Sequence, residues 1–264
     1  MTRRIALIGG GAAAGPVVAP ELRQLVGSED ELVAYPSRVS VFPHTALELL
    51  LQEVGHAEAA VAAVDDGVAA IAIDSVGDYG LAAMRASLPV PAFGAGEAGM
   101  AAAGAEGRRF TIVTVWPPSM NFILEGRLRA YGHSGACAGI FNIGTEPDVS
   151  GPEGPGAYLS RIKSGHRSVI DKAAGAIATA AAQGAEAVML GCTCMSGIAA
   201  TLAAQASVPV INPLAAAVAA AAKAEAVPPP ETLADRKDML RAMVDAIPQQ
   251  PAEACPVCIE APQP

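Results

Sequence analysis

The stretch GAEAVMLGCTCMSGIAATLA, Gly184 to Ala203, has an earlier likeness in GVAAIAIDSVGDYGLAAMRA, Gly67 to Ala86. Laid one over the other, Gly67 meets Gly184, Gly80 meets Gly197 and Ser75 meets Cys192, with the apolar residues in step. The likeness continues on both sides: RIALIG from Arg4 resembles RFTIVTV from Arg109, and LPVPAFGAGEAGMAAA from Leu88 resembles VPVINPLAAAVAAAA from Val208. Such a duplication predicts an α/β fold of two pseudo-symmetric halves, each a roughly four-stranded parallel sheet flanked by helices. The halves are expected at 4–105 and 108–224, with the C-terminal part of the second packing back on the first. A Pro-rich tail, 225–264, is expected to carry one short helix near Leu233–Ile247.

Hydrophobic runs between turn residues predict eight strands, at Arg4–Ile8, Arg38–Phe42, Val68–Ile73, Val90–Phe93, Phe110–Trp116, Ala138–Ile143, Ala187–Leu190 and Val208–Ile211. Alanine-rich segments with apolar residues at helical spacing lie between them, at Pro16–Val26, Thr45–Val64, Tyr79–Ser87, Gly96–Ala103, Ser119–Tyr131, Ala157–Gln183, Gly197–Ala206 and Pro213–Ala224. In open parallel sheets, ligands sit beyond the carboxyl ends of the strands. Two matched halves are therefore expected to place Ser75 and Cys192 on opposite walls of one cleft.

Composition narrows the function. The chain has 264 residues, 52% hydrophobic, and a net charge of −9 with 17 Lys and Arg residues scattered along it. No basic stripe exists to neutralise phosphates, which argues against a nucleic-acid partner. The longest apolar segments, such as LAAAVAAAA from Leu214, fall short of the ~18 residues a bilayer requires, so no membrane partner is expected. The N-terminal MTRRIALIGGGAAAGP imitates an export signal, but its apolar part breaks at three glycines after Ile8 and reads as a strand entering a turn. Five cysteines, Cys137, Cys192, Cys194, Cys255 and Cys258, form an odd set without framework spacing, so free thiols in a reducing cytoplasm are expected.

Cys192 follows Gly191 and precedes a helical pattern starting near Ser196, so its sulfur is predicted to lie by helix N-terminal amides that favour thiolate. The same amides, with the hydroxyls of Thr193 and Ser75, offer support for a carboxylate or an enolate oxygen. Metal chemistry is not indicated: Cys192 and Cys194 lack zinc-knuckle spacing, and Cys255 and Cys258 form a CxxC in the tail with no second pair near them in sequence. His44, His56, His133 and His166 show no ligand spacing, although His44, in FPHT, is placed to overhang the cleft. GGGAAAG gives no dinucleotide fingerprint in register, and no phosphate loop of the GxxxxGK[ST] type occurs. A Cys-His-Asp triad finds no local pattern around Cys192.

GAEAVMLGCTCMSGIAATLAAQASVPVINPLAAAV, with RFTIVTVWPPSMNFILEGRLRAYGHSGACAGI and the Leu88–Ala103 segment, resembles the aspartate/glutamate/hydantoin racemase superfamily, most closely its hydantoin racemase-like branch. The likeness covers about residues 4–224, and the LGCT turn is its most specific part. It implies two pseudo-symmetric halves, no cofactor, homo-oligomers, and inversion of a carbon next to a carboxyl or carbonyl by two opposed cysteines. Carried over, Cys192 is the second catalytic thiol and Thr193 its neighbouring substrate binder, while Ser75 stands where the first thiol is expected. Val76, Gly10, Gly11, His44, Trp116 and Ser119 would line the pocket by the same analogy. An aliphatic hydroxyl is far less acidic than a thiol, so Asp74 or Asp78 would relay protons to Ser75, or the enzyme would favour one direction. Two alternatives within the resemblance need one thiol: a malonate-type decarboxylase in which Cys192 protonates an enediolate, and a cis/trans isomerase in which Cys192 adds to an unsaturated diacid. A further reading is a ligand-binding paralogue without catalysis. Arg85 is the only arginine close in sequence to either turn, which favours a neutral or apolar substituent on a small carboxylate or cyclic amide, with Trp116 to pack against it.

Overall fold

The computed structural model describes residues 2–9, 18–39, 42–150, 154–228 and 237–246. Eight strands are formed, β1 (Arg3–Ile8), β2 (Asp30–Tyr35), β3 (Ala70–Ile73), β4 (Ala92–Gly94), β5 (Phe110–Thr114), β6 (Cys137–Asn142), β7 (Ala187–Leu190) and β8 (Val210–Ile211). The helices are α1 (Pro20–Arg23), α2 (Ala46–Asp65), α3 (Leu81–Ser87), α4 (Ala95–Ala103), α5 (Asn121–Ala130), α6 (Glu146–Ser150), α7 (Gly154–Lys163), α8 (Arg167–Ala182), α9 (Ala199–Gln205), α10 (Pro213–Ala222) and α11 (Lys237–Ala246). The strands make two four-stranded sheets in the orders β2-β1-β3-β4 and β6-β5-β7-β8, every described pairing parallel. The α/β class and the two sheets flanked by helices are as the repeat predicts.

The repeat is visible in individual hydrogen bonds. Ala69 N–H donates to Arg4 O and Asp74 N–H to Ile8 O in the first sheet; Glu186 N–H donates to Arg109 O and Gly191 N–H to Val113 O in the second. The central strands are apolar and fully buried, β3 as AIAI and β7 as AVML, as strands covered on both faces must be. Around the first sheet Ile8, Ile71, Ile73, Leu81 and Met84 form the core with small residues of α2, Ala59, Ala60 and Ala63. Those alanines let the helix lie close to the sheet.

Contacts divide the chain into two compact units, one reaching Gly94 and resuming at Val218, the other running from Ala95 through Ala217. Compactness and repeat partition the chain differently. Helix α4 packs on β7 and β8, where a Cβ on Gly99 would meet Pro213 Cβ at 2.6 Å and Met189 Cε at 3.0 Å. In the first unit, the Arg3 guanidinium donates to the carbonyls of Ala221, Ala222 and Ala224 and so satisfies the C-terminal end of α10.

Three local expectations are corrected. The second strand is Asp30–Tyr35 rather than Arg38–Phe42: Arg38 instead makes a paired hydrogen bond to Glu58 at 2.6 and 3.1 Å, while Val39 and Phe42 are buried outside any strand. Residues 40 and 41 lie outside the described residues. The helix expected over Ala157–Gln183 is two helices, because Gly165 at φ 67° turns the chain and His166 starts α8 as its N-cap. The segment expected as a helix over Pro16–Val26 keeps only the four residues of α1 among those described. Cys255 and Cys258 lie outside the described residues.

Candidate functional site

Each central strand ends in a turn built the same way. After β3, the Ser75 hydroxyl accepts the N–H of Gly77 at 3.1 Å, and the Ser75 carbonyl accepts Asp78 N–H at 3.2 Å. After β7, the Cys192 sulfur accepts the N–H of Cys194 at 3.2 Å, and the Cys192 carbonyl accepts Met195 N–H at 3.1 Å. A side chain at the first turn position bonding the amide two residues on is a local cap, and the two copies place hydroxyl oxygen and cysteine sulfur in equivalent positions.

The first turn gathers Asp74, Ser75, Val76 and Asp78. Ser75 and Asp74 are half-buried, Val76 is buried and Asp78 is fully buried at φ 45°. The Asp78 carboxylate lies where a Cβ on Gly94 would stand, 2.3 Å from Cγ, so only glycine at the end of β4 admits it. Gly80, at φ 75°, then starts α3.

The second turn gathers Cys192 and Thr193, and Trp116 lies just past the end of the neighbouring strand β5. Cys192 is extended (φ −151°, ψ 137°) and 8% exposed; a 3-10 turn, Thr193–Ile198, follows at once and leads into α9. This backbone brings Cys192 and Cys194 to a Cα separation of 5.2 Å, and their sulfurs are bonded to each other. Free thiols were expected at both positions; an extended residue followed by a tight turn puts the two side chains on one side of the chain. Cys137 is the free cysteine among the described residues, half-buried, with its thiol pushed up by burial.

Thr114 joins the turn to its neighbour. Its hydroxyl, fully buried, donates to Gly191 O at 3.2 Å and accepts Trp116 N–H at 3.3 Å. Trp116 is half-buried, its ring edge-on to Tyr158 at 6.4 Å, and its carbonyl accepts from Asn142, which also pairs with Asn121. Tyr158 donates to Val115 O at 2.9 Å, and burial pushes its hydroxyl up to about 12. Ser196 accepts from Asn212 at 2.9 Å, whose carbonyl oxygen caps α10 through Ala215 N–H. Thr114, Asn121, Asn142 and Asn212 escaped sequence reasoning. The one signal was a polar residue inside an otherwise apolar strand or at its end, as in FTIVT.

Ser119 and His44, also expected at the site, make contacts of their own. Ser119 is exposed and its hydroxyl donates to Glu146 at 2.9 Å. His44 is exposed with its ring edge on Phe42, and no hydrogen bond or ring contact among the described residues joins it to the Ser75 turn. Gly10 and Gly11 lie outside the described residues. His56, read as a histidine without ligand spacing, is 3% exposed, with Nδ1 against Gln52 O at 2.9 Å and its ring edge-on to Tyr79. Burial lowers it to about 4. A carbonyl can only accept, so Nδ1 carries the proton and Nε2 is the bare nitrogen. Nε2 fills the place of a side chain at Gly9, where a Cβ would stand 2.3 Å away. Among the described residues no three His, Cys, Asp or Glu side chains gather as metal ligands.

A family model described as Asp/Glu/Hydantoin racemase matches residues 46–221. Among solved structures, the chain is similar to allantoin racemase from Klebsiella pneumoniae, with a TM-score of 0.69 at 23% identity over 99% of this chain and 95% of that one. It is also similar to glutamate racemase from Thermus thermophilus, TM-score 0.56 at 18% identity over 82% of this chain and 78% of that one. A Gly74Cys-Cys188Ser mutant of arylmalonate decarboxylase in liganded form gives a TM-score of 0.56 at 17% identity, over 86% of this chain and 97% of that one. No curated protein matches the chain in sequence.

Proposed function

The chain belongs to the Asp/Glu/hydantoin racemase family, and from that premise we propose that it is a cofactor-independent racemase or epimerase using the Cys192 thiolate at a carbon α to a carboxylate or cyclic amide carbonyl. One observation carries the reading. The sulfur of Cys192 caps the turn after β7 as the hydroxyl of Ser75 caps the turn after β3, so the duplicated fold repeats a chemical position as well as a shape.

The reduced form is the working one. With its bond to Cys194 opened, Cys192 keeps the Cys194 N–H beside its sulfur, a donor that favours the anion. The thiolate removes the α-proton as general base, and the charge that develops on the adjacent oxygen is met by backbone N–H groups of the turn and the Thr193 hydroxyl. By the family resemblance Ser75 is assigned as the second acid–base group, with Asp74 or Asp78 to relay its proton. The fully buried Asp78 and the half-buried Asp74 are the carboxylates of the Ser75 turn.

A second reading rests on Ser75 itself. A hydroxyl is a weak acid beside a thiol, and loss of carbon dioxide from a malonate-type acid creates the enediolate without a base, leaving Cys192 to protonate it. Isomerisation of an unsaturated diacid through a Cys192 adduct uses the same thiol as nucleophile. Tested on hydantoins, allantoin, amino acids and arylmalonates in deuterated water, the reduced protein is expected to wash deuterium into recovered substrate as optical rotation falls. Carbon dioxide release with one product enantiomer, and no label in recovered substrate, instead selects the decarboxylase. Cys192→Ala is expected to lower either activity by about a thousandfold or more; unchanged turnover in that variant removes the thiol from the chemistry. Among the described residues no helix is long and apolar enough to cross a membrane. A reducing cytoplasm is the compartment that would keep Cys192 active.

A further inference from the structure

The Cys192 turn holds a second sulfur that the chemistry above does not use. Cys194 stands two residues beyond Cys192, and the backbone between them carries both side chains to one side at a Cα separation of 5.2 Å, within the span of disulfides. The two sulfurs differ in access: Cys192 is 8% exposed, whereas Cys194 is only half-buried. They differ in environment too, since the amide of Cys194 points at the Cys192 sulfur. The equivalent turn after β3 has Ser75 and Gly77 at these positions, so the device exists in one copy of the repeat alone.

We propose that the Cys192–Cys194 pair is a site of reversible oxidation by hydroperoxides, with Cys194 as resolving cysteine, which withdraws Cys192 from proton transfer and protects it from irreversible oxidation. The proposal rests on the reading of Cys192 as catalytic thiol only for its effect on activity. In the reduced protein the Cys192 thiolate attacks one oxygen of the hydroperoxide. A sulfur–oxygen bond forms, the oxygen–oxygen bond breaks, and the departing alkoxide takes a proton and leaves as alcohol, or as water from hydrogen peroxide itself. The sulfur is oxidised to a sulfenic acid and the peroxide reduced. The Cys194 thiolate then attacks that sulfur; the disulfide forms and hydroxide leaves, taking up the proton the Cys194 thiol gave up, as water. An external dithiol reverses the state by attacking the more exposed Cys194 sulfur. Cys192 departs as thiolate, and the dithiol's second sulfur closes its own disulfide and frees Cys194. Cys137 is a poor competitor, because burial raises its thiol and keeps it protonated.

The test uses the full chain, reduced with dithiothreitol, desalted, exposed to hydrogen peroxide and mapped by peptide mass spectrometry with dimedone present. Wild type is expected to show Cys192 and Cys194 linked, two hydrogens lighter, with little dimedone adduct. Cys194→Ser is expected to carry dimedone on Cys192 and, without the probe, sulfinic acid there. Activity in wild type is expected to fall about tenfold or more and to return fully with dithiothreitol, whereas loss in Cys194→Ser stays. A wild-type pair that stays reduced, or a Cys192 over-oxidised equally in both proteins, overturns the proposal. If the pair forms and resolves in a protein that exchanges no proton on any substrate, the catalytic reading falls and the oxidation site stands. Folding of Cys194→Ser is read separately from its circular dichroism and from Cys137 labelling, which should match wild type.

Discussion

The two central strand pairs solve one packing problem in opposite ways. Where β1 and β3 end, Gly9 stands beside Asp74; where β5 and β7 end, Thr114 stands beside Gly191. The glycine has changed strands. In the first unit the space above Gly9 is filled from a helix, by the buried His56 ring; in the second the space above Gly191 is filled from the neighbouring strand, by Thr114, whose Cβ would lie 2.5 Å from an added Cβ. The edge of a neutral imidazole ring thus stands where the other copy has a hydroxyl bridge. The repeat conserves the backbone turn and leaves the means of bracing it free, and the chemical group on each turn, Ser75 or Cys192, varies with the same freedom.

The comparison can be broken at three points. Gly9→Ala forces a side chain into the His56 ring at φ 94° and is expected to cost about 3 kcal/mol or more, read by denaturant unfolding. Gly191→Ala is spared the left-handed backbone but meets the Thr114 Cβ and Cα at 2.5 and 3.0 Å, atoms that cannot swing aside, and is expected to cost about as much; a much larger loss at Gly9 would mean that its backbone conformation, and not the contact, decides. The pH dependence of stability comes next. His56 is held down to about 4 by burial, while an unfolded chain protonates it near 6.5, so its contribution is complete above that value and is lost as pH falls toward 4. The loss sums to on the order of 3 kcal/mol, and His56→Gln should flatten the profile over that interval relative to wild type. A slope that survives the substitution assigns the titration elsewhere. The smallest effect belongs to Thr114→Val, which leaves Gly191 O and Trp116 N–H without the hydroxyl and should destabilise by about 1–2 kcal/mol. Here the test is whether Cys192 alkylates faster in the variant, as loosening of its turn predicts.

Much of this architecture is legible in the chain because buried parallel strands such as AIAI and AVML have almost no polar content and recur in matched surroundings. The edge strand β2 hid itself: in DELVAY only Leu32 is buried, so burial imposed no pattern, while the alternating RVSVF at Arg38 imitated a strand, and Arg38 itself is ion-paired to Glu58 instead. The matched turns were legible from the alignment of Ser75 with Cys192, whose side chains make the same local bond in each copy. The bond between Cys192 and Cys194 was not, since it depends on an extended residue followed by a 3-10 turn, a backbone path that spacing does not reveal. His56 was illegible for a related reason, because its neighbour Gly9 is far away in sequence and is defined by lacking a side chain.

Helix α11 lies along α2, with Lys237 and Arg241 on Asp65, whose carboxyl they hold below its ordinary value, and Arg38 reaching Asp245. On the ribosome this makes the order of completion the reverse of the order of coding. The unit begun first gains α11 on α2 only after everything between has been made, whereas the unit inserted into it has all its residues once Ala217 is free of the exit tunnel.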